Sequence, residues 1–371
     1  MKIQQLYTKC LAEAAYYIES NGEAIIIDPI RETQPYLDLL EERDASLKYI
    51  FETHFHADFV SGHVDLAKKT GAKIVFGPTA VTDYDTYQAK DNEELTLGDL
   101  TVKVLHTPGH TLESTCYLLL DKTGKETAIF TGDTLFIGDV GRPDLAIKSN
   151  FTKEDLAAML FDSLRNKIMI LPDDVIIYPA HGAGSACGKN MSAETFDTLG
   201  HQKEVNYALR ESMSKEEFVK ELITGIMPAP NYFAKNAMLN KNGYANIDEV
   251  LEQGTKALSL NSFTKQKEQG VLVLDVRDPQ TFCKGFIPQS LSIGLDGSFA
   301  VWAASMITDL HQSIMLVAPE GREHEAVMRL ARVGFDNVVG YLEGGFSTWQ
   351  ENGNYVDTIT SISPNEFEQI L

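Results

Sequence analysis

The sequence is poor in the features that mark secreted, membrane and nucleic-acid-binding proteins. Its 371 residues include four cysteines, Cys10, Cys116, Cys187 and Cys283, too few and too far apart for a disulfide framework. Positive charge is scarce, because 32 lysines and arginines face 53 acidic residues and leave a formal net charge of -21. No apolar run approaches the roughly 20 residues of a membrane span, and residues 1–5 lack the apolar region of a signal peptide. We therefore expect a cytoplasmic protein with no nucleic-acid or membrane partner.

The first 256 residues are predicted to form a layered α/β domain that ends in a helical connector. Short apolar runs separated by turns predict strands at 23–27, 48–51, 73–76, 100–105 and 128–131. Amphipathic patterns between them predict helices at 34–43 and 64–70. Residues 191–209 and 214–224 also fit amphipathic helices, before prolines at 228–230 break the pattern.

A second domain is predicted over residues 257–356. Three apolar runs at 271–277, 313–318 and 337–342 read as buried strands, and the clearest helical pattern between them covers 323–332. Strands joined through helices pair in parallel, so this domain should contain a small parallel sheet.

The last stretch, 357–371, is predicted to be a tail with a helix start. Ser363 and Glu366 have the spacing of a capping box, with Pro364 at the first helical position. Two interpretations stay open: a short terminal helix, or the beginning of a further domain like the second one.

Potential metal ligands are densest in the segment 54–59, which reads His-x-His-x-Asp-Phe directly after an apolar run. His110, Asp133 and His181 also follow predicted strands, each next to a glycine or proline that turns the chain, and Asp28 closes an early strand. Because strand ends on one edge of a layered sheet converge, we expect these side chains to meet at a metal ion. Phe59 stands where a further histidine would complete a familiar motif, and its ring cannot ligate a metal. We therefore predict one metal ion rather than two.

These motifs resemble the metallo-β-lactamase superfamily over about residues 1–200. The resemblance implies an αββα sandwich with the site at its edge. A typical binuclear member would place one metal on the residues matching His54, His56 and His110. It would place the second on those matching Asp58, position 59 and His181, with the one matching Asp133 as the bridge.

Within the superfamily, three segments look most similar to the persulfide dioxygenases: 53–58, the Gly-Arg-Pro-Asp at 141–144, and the run 179–189. This resemblance implies one Fe(II) per chain, with His54, His110 and Asp133 as its ligands and catalytic centre. Two imidazoles and a carboxylate form the facial triad of Fe(II) oxygenases and leave coordination positions open. The reaction implied is oxidation of the sulfane sulfur of a low-molecular-weight thiol persulfide to sulfite by O2, in a dimer or tetramer.

Five other residues are implied to support the site. His56, Asp58 and His181 would orient ligands or substrate. Arg142 has two interpretations, a bidentate contact to a carboxylate of the thiol carrier or a structural ion pair with Asp144. Cys187 follows His181 in a loop rich in glycine and serine, and it either meets the substrate or is a small buried packing residue.

Residues 257–356 resemble a rhodanese domain, through the segments 274–277, 282–288 and 342–349. An active rhodanese has a cysteine directly after its central strand, in a loop whose backbone N–H groups stabilise anionic sulfur. Alignment on Gly321 puts Ala318 at that position and Glu323 where a basic residue is usual. We therefore predict an α/β protein in which the αββα sandwich precedes a small parallel rhodanese-like domain that lacks sulfurtransferase activity.

Two alternatives to a dioxygenase remain at this point. One is a zinc-dependent thioester hydrolase similar to glyoxalase II, which would use a metal-bound hydroxide. Phe59 and the rhodanese-like domain disfavour it. The other is a non-catalytic sulfur carrier or scaffold, which the full set of ligands disfavours. Glutathione, coenzyme A and bacillithiol all stay open as the thiol that carries the persulfide.

Overall fold

The computed structural model describes residues 1–145, 150–360, 362 and 364–370, and the chain divides into two compact units, Met1–Tyr244 and Ala245–Leu371. Each unit has its own hydrophobic core. Ser363, the predicted cap of the terminal helix, lies outside the described residues. The helix itself is present at Pro364–Glu368, and its residues are exposed.

The first unit opens with a six-stranded mixed sheet whose spatial order follows the sequence. Its strands are β1 Lys2–Thr8, β2 Glu13–Ser20, β3 Glu23–Ile27, β4 Ser46–Phe51, β5 Lys73–Phe76 and β6 Tyr87–Gln88. The first three pair antiparallel and the rest pair parallel. Runs such as Ala24 to Ile27 are wholly buried, as expected for strands covered on both faces.

A second six-stranded sheet packs face to face against the first one. Its strands are β7 Glu94–Leu97, β8 Leu100–His106, β9 Thr115–Leu120, β10 Glu126–Gly132, β11 Ile176–Pro179 and β12 Asp197–Thr198, in the order β12-β11-β10-β9-β8-β7. One buried cluster joins inward side chains of both sheets, among them Ile25 and Phe51 from the first and Val104 and Phe130 from the second. Burial of these faces against each other is the main source of stability for a sandwich.

Helices cover the outer faces and complete the predicted αββα sandwich, which is confirmed. They are α1 Gln34–Glu42, α2 His63–Thr70, α3 Lys153–Ser163, α4 Leu199–Val205, α5 Lys215–Ile223 and α6 Phe233–Asn242. Ala157, Leu160 and Phe218 from α3 and α5 share a core with the second sheet. Among the described residues, none of the helices is long and apolar enough to cross a membrane.

One predicted helix of this unit is wrong over its first part, 191–198. The pattern at 191–209 predicted a continuous helix, but only α4 and a short 3-10 turn at Tyr207–Leu209 are helical. Asp197 and Thr198, just before α4, instead pair with Ile177 and Ile176 of β11 and extend the edge of the sheet. Strand pairing at the edge therefore overrides the local amphipathic pattern there.

The second unit contains the predicted parallel sheet, in the order β13-β17-β16-β14-β15. Its strands are β13 Ala257–Leu258, β14 Leu272–Asp275, β15 Leu291–Ser292, β16 Ile314–Val317 and β17 Val338–Leu342. The helices are α7 Ile247–Gly254, α8 Leu260–Glu268, α9 Pro279–Lys284, α10 Phe299–Met306, α11 Glu323–Ala331, α12 Gly345–Glu351 and α13 Pro364–Glu368. All of its strand pairs are parallel among the residues described.

The division between the units precedes the boundary that we predict at 256/257. It lies between Tyr244 and Ala245, so that α7 belongs to the second unit. Ile247 and Val250 of this helix are buried, and α7 packs against α11 and β17. These packing contacts across distant sequence positions are not visible in the local pattern of the connector.

Candidate metal centre

Four strand ends deliver the predicted site residues to one edge of the first unit. Residues 54–59 follow β4, His110 follows β8, Asp133 follows β10 directly, and His181 follows β11. The side chains predicted to gather at the site are all at most 6% exposed; they are His54, His56, Asp58, His110, Asp133 and His181. The fold therefore brings these side chains together at one edge, as expected from the sequence.

His54, His110 and Asp133 form a group whose potential ligand atoms all lie within 4.8 Å of one another. The Asp133 Oδ2 atom is 3.4 Å from His110 Nε2 and 3.8 Å from His54 Nε2. Within the described residues, His110 Nε2 and Asp133 Oδ2 are buried without any hydrogen-bond partner. Buried polar atoms are normally paired, so two such atoms facing the same space fit ligands for a metal ion.

The hydrogen bonds behind the two imidazoles fix which nitrogen faces this space. His110 Nδ1 donates to the backbone carbonyl of Arg142 at 2.8 Å. Thr53 Oγ1 donates to Asp28 Oδ2 at 2.8 Å, so it accepts from His54 Nδ1 at 2.9 Å. Both rings therefore carry their proton on Nδ1 and present Nε2 as a bare donor atom, the arrangement that supporting residues impose on metal-binding histidines.

Burial and neighbouring charges favour the protonation states in which these three residues can bind a metal. Burial lowers the pKa of His54 well below its usual value and also lowers that of His110. Burial alone would raise the pKa of Asp133, but His181, His54 and His110 hold that pKa well below its usual value. Neutral imidazoles and an ionised carboxylate are the forms that bind a metal.

The backbone approaches the site closely at Gly141. A Cβ atom there would lie 2.1 Å from the Asp133 carbonyl oxygen and 2.8 Å from His110 Nδ1. Real Cβ atoms do not come this near to backbone, so glycine is required for the turn that carries the Arg142 carbonyl to His110.

Asp58 and His181 form a second layer behind Asp133. His181 Nδ1 is 2.7 Å from Asp133 Oδ1, and His181 Nε2 is 2.8 Å from Asp58 Oδ2. Burial disfavours a charged imidazole, yet the pKa of His181 is raised well above its usual value because Asp133 and Asp58 lie on both sides. His181 thus bridges two carboxylates and orients Asp133.

Phe59 lies beside His56 and keeps that corner of the site apolar. Its ring is fully buried, 4.4 Å from the His56 ring centre and 6.4 Å from that of His181. His56 Nε2 lies 3.1 Å from Asp28 Oδ1. His56, Asp58 and His181 still bring potential ligand atoms within 4.8 Å, but position 59 adds none.

Arg142 and Cys187 flank the centre. The Arg142 guanidinium forms a bidentate pair with Asp144, at 2.6 and 2.8 Å, and donates to the Ala186 and Met227 carbonyl oxygens. Of its two sequence interpretations, this geometry is that of the ion pair. Cys187 is 1% exposed, and burial, with Asp133 and Asp58 nearby, raises the pKa of its thiol well above the usual value.

Sequence reasoning missed Asn240 and Glu52. Asn240 contacts the backbone of the metal loop from helix α6, on which a lone asparagine gives no signal. Glu52 is fully buried between Ser61 and His63, with Ser61 Oγ donating to its Oε1 atom at 2.5 Å. A glutamate two residues before His54, at the end of an otherwise apolar strand, was a signal that could have been used.

In the second unit, the loop after β16 lines a cavity of about 700 Å³ together with Arg277 and Phe346. Ala318, Glu320 and Glu323 all face this cavity. Arg277 is committed to Asp275, with 2.6 Å between its Nη2 atom and Oδ2. The described lining therefore has no thiol, and it carries two carboxylates next to the alanine.

Comparison with known proteins gives the class of each unit. A metallo-beta-lactamase superfamily domain matches residues 8–181, and a rhodanese-like domain matches residues 259–352. The chain belongs to the metallo-β-lactamase superfamily and carries a rhodanese-like domain after the sandwich.

Individual relatives carry different enzyme names. Human mitochondrial persulfide dioxygenase ETHE1 is 30% identical over 210 residues, which are 56% of this chain and 74% of that protein. The probable hydroxyacylglutathione hydrolase glo2 of Schizosaccharomyces pombe is 34% identical over 160 residues, 42% of this chain and 57% of that protein. This chain spans less than two thirds of the length of the first hydroxyacylglutathione hydrolases that it matches.

The similarity to a solved structure extends over both units. A metallo-beta-lactamase from Staphylococcus aureus subsp. aureus COL superposes with a TM-score of 0.81 at 31% identity. The match covers 92% of this chain and 98% of that one. The succession of a metallo-β-lactamase fold and a rhodanese-like domain therefore occurs in a related chain.

Proposed function

We propose that the chain is a persulfide dioxygenase with one Fe(II) held by His54, His110 and Asp133. The observation that carries the proposal is the set of two neutral imidazoles and one carboxylate that face one space, with no ligand at position 59. Two imidazoles and one carboxylate are the ligand set of non-haem Fe(II) oxygenases, and these three residues would hold the ion. The longer match to human persulfide dioxygenase supports the same assignment.

Iron bound there would supply the redox chemistry that joins O2 to a sulfane sulfur. The electrons that the sulfur loses go to O2, water supplies the remaining oxygen of sulfite, and the carrier is released as a thiol. The protein's part is to hold Nε2 of both histidines and Oδ2 of Asp133 on one side of the site. His181 keeps Asp133 ionised and oriented, Asp58 holds the other side of His181, and the buried walls limit the access of water.

A second candidate is a zinc-dependent hydroxyacylglutathione hydrolase, favoured by the 34% identity to glo2. That chemistry needs a Lewis acid and an activated water, for which His56, Asp58 and His181 remain close together. Phe59 is the feature against it, because it removes one ligand from the second metal position of a binuclear site.

The test is metal analysis together with two assays on the purified chain. We expect one iron per chain, O2 uptake with glutathione persulfide, and sulfite as the product. His110→Ala should lower the rate more than about 100-fold, beyond what the loss of a supporting residue costs. His201→Ala is the control, because that exposed histidine pairs only with Asp197 among the described side chains near it.

The alternative has a distinct outcome in the same experiment. Two zinc ions per chain with cleavage of S-lactoylglutathione, and no O2 uptake in the iron-loaded chain, would contradict the dioxygenase proposal. If His110→Ala takes up O2 at the same rate as the unaltered chain, the proposed ligand set is wrong, but the dioxygenase activity is not contradicted.

A further inference from the structure

Helix α6 reaches the metal loop through the side chain of Asn240. The Asn240 Nδ2 atom donates to the backbone carbonyls of His56 and Phe59, at 2.8 Å each. Its Oδ1 atom accepts from the backbone N–H of Ser61 at 2.8 Å. The side chain is 1% exposed, so water cannot replace these three bonds.

The orientation of this amide follows from its partners. Nδ2 carries two hydrogens, and each of them meets one carbonyl oxygen. A flipped amide would set its oxygen against two carbonyl oxygens and its NH2 group against an N–H. One orientation therefore satisfies all of the partners, and it closes the loop 56–61 around a single side chain.

The loop that Asn240 holds contains Asp58, and from there a buried chain of contacts leads to a predicted ligand. Asp58 Oδ2 is 2.8 Å from His181 Nε2, and His181 Nδ1 is 2.7 Å from Asp133 Oδ1. His54 has its own support through Thr53 and Asp28. A shift of the backbone at 56–59 would thus reach the predicted ligand Asp133 through Asp58 and His181.

Further hydrogen bonds hold the same part of α6 in place. The Tyr84 hydroxyl donates to the backbone carbonyl of Asn240 at 2.6 Å and lies 2.6 Å from Nε2 of His63, the first residue of α2. Tyr244, just after α6, accepts from the Val64 N–H at 3.1 Å. These contacts fix the helix in the position from which Asn240 can reach the loop.

We propose that Asn240 is a positioning residue of the metal centre, which sets the place of Asp133 through the loop 56–61, Asp58 and His181. The inference rests on the ligand set of the proposed function. It assigns to the helix just before the rhodanese-like unit a role in the metal site of the first unit.

The test compares two buried asparagines of the same helix in the full chain. Asn236 lies one turn before Asn240 and is fully buried, but its amide atoms have no hydrogen-bond partner among the described residues. The probe is Co(II) added to metal-free protein, with affinity measured against a chelator and the visible spectrum recorded. We expect Asn240→Ala to weaken Co(II) binding about 10- to 100-fold, the range for supporting residues of metal sites, and to change the spectrum.

Asn236→Ala should leave the Co(II) affinity and the spectrum as they are in the unaltered chain. If Asn240→Ala does not fold, Asn240→Asp serves instead, because it keeps the size and the bond from Ser61 but leaves both carbonyls without a donor. Wild-type affinity and spectrum in a folded Asn240 variant would overturn the inference, even if that variant melts earlier. Failure of the proposed function is separate, since the unaltered chain would then bind Co(II) yet show no O2 uptake with iron.

Discussion

Phe59 is, at the scale of single residues, the side chain on which our proposal of one metal ion rests. The neighbouring His56, Asp58 and His181 remain within ligand distance of each other. The phenyl ring packs against His56 and adds no lone pair where a typical binuclear member has a ligand. We therefore attribute the proposed loss of the second metal position to this one side chain rather than to the fold.

This gives a prediction for the variant Phe59→His. An imidazole there would join Asp58 and His181, and we expect the zinc-loaded variant to bind a second equivalent of Zn(II). Elemental analysis of the protein after dialysis measures this, with Phe59→Leu as the control that changes the ring but supplies no ligand. A zinc content equal to that of the unaltered chain would contradict the explanation.

The proximity of the three proposed ligands could be predicted from the sequence because each follows a strand within a few residues, and strand ends of a layered sheet meet at one edge. His54, His110 and Asp133 needed only this rule and the resemblance. Asn240 could not be predicted in the same way. Its partners lie 181 and 184 positions away in the chain, and an asparagine on a polar helix has many equally ordinary explanations.

Among the elements, the loop between β16 and α11 shows how a binding cavity can persist without its reactive group. Ala318 directly follows β16, and Pro319 has no N–H to offer to an anion. Glu320 and Glu323 line the same cavity as Ala318. Two carboxylates and a missing donor therefore accompany the missing thiol, while Lys284 lines another part of the same cavity.

We accordingly predict that Ala318→Cys alone does not create a sulfurtransferase. The two glutamates should disfavour both the thiolate and an anionic donor, so activity should appear only when Glu320→Gln and Glu323→Gln are added. Transfer of sulfur from thiosulfate to cyanide measures it, with Cys283→Ser in every variant to remove the other thiol of the unit. Activity in the single Ala318→Cys variant would show that the carboxylates are irrelevant.

Prediction of elements was accurate where burial and periodicity agree. The runs at 23–27 and 73–76 are strands with those limits, since both are bounded by turns and face a core. The stretch at 191–198 is not helical, and Asp197–Thr198 at its end is an edge strand whose pattern is weak because it has only one partner. Helix α7 was assigned to a connector because its partners, α11 and β17, come much later in the chain.

The whole molecule consists of two units with separate cores. The position of α7 determines at which residue a stable fragment containing the second unit should begin. A fragment beginning at residue 245 retains Ile247 and Val250, which are 1% and 4% exposed, and one beginning at 257 loses them. Burial of such side chains contributes about 1.5–3 kcal/mol each. We expect the shorter fragment to have a free energy of unfolding lower by about 3 kcal/mol or more.

Urea titration of fragments 245–360 and 257–360 measures this difference. Equal midpoints and slopes would mean that α7 belongs to the first unit or to neither. The variant Val250→Ala in the longer fragment is the control for truncation itself, because it removes only part of the same contact. Its stability should fall between those of the two fragments.

The hydrogen bond from His110 to the Arg142 carbonyl has a consequence for how this protein tolerates mutation. The acceptor belongs to the backbone, so no substitution at position 142 can delete it. The tautomer of His110 therefore does not depend on which side chain stands at position 142. Substitutions are instead harmful one position earlier, at Gly141, where any Cβ would collide with Asp133 and His110. A residue that contributes no functional group is thus the one whose identity the metal centre constrains most tightly along this turn.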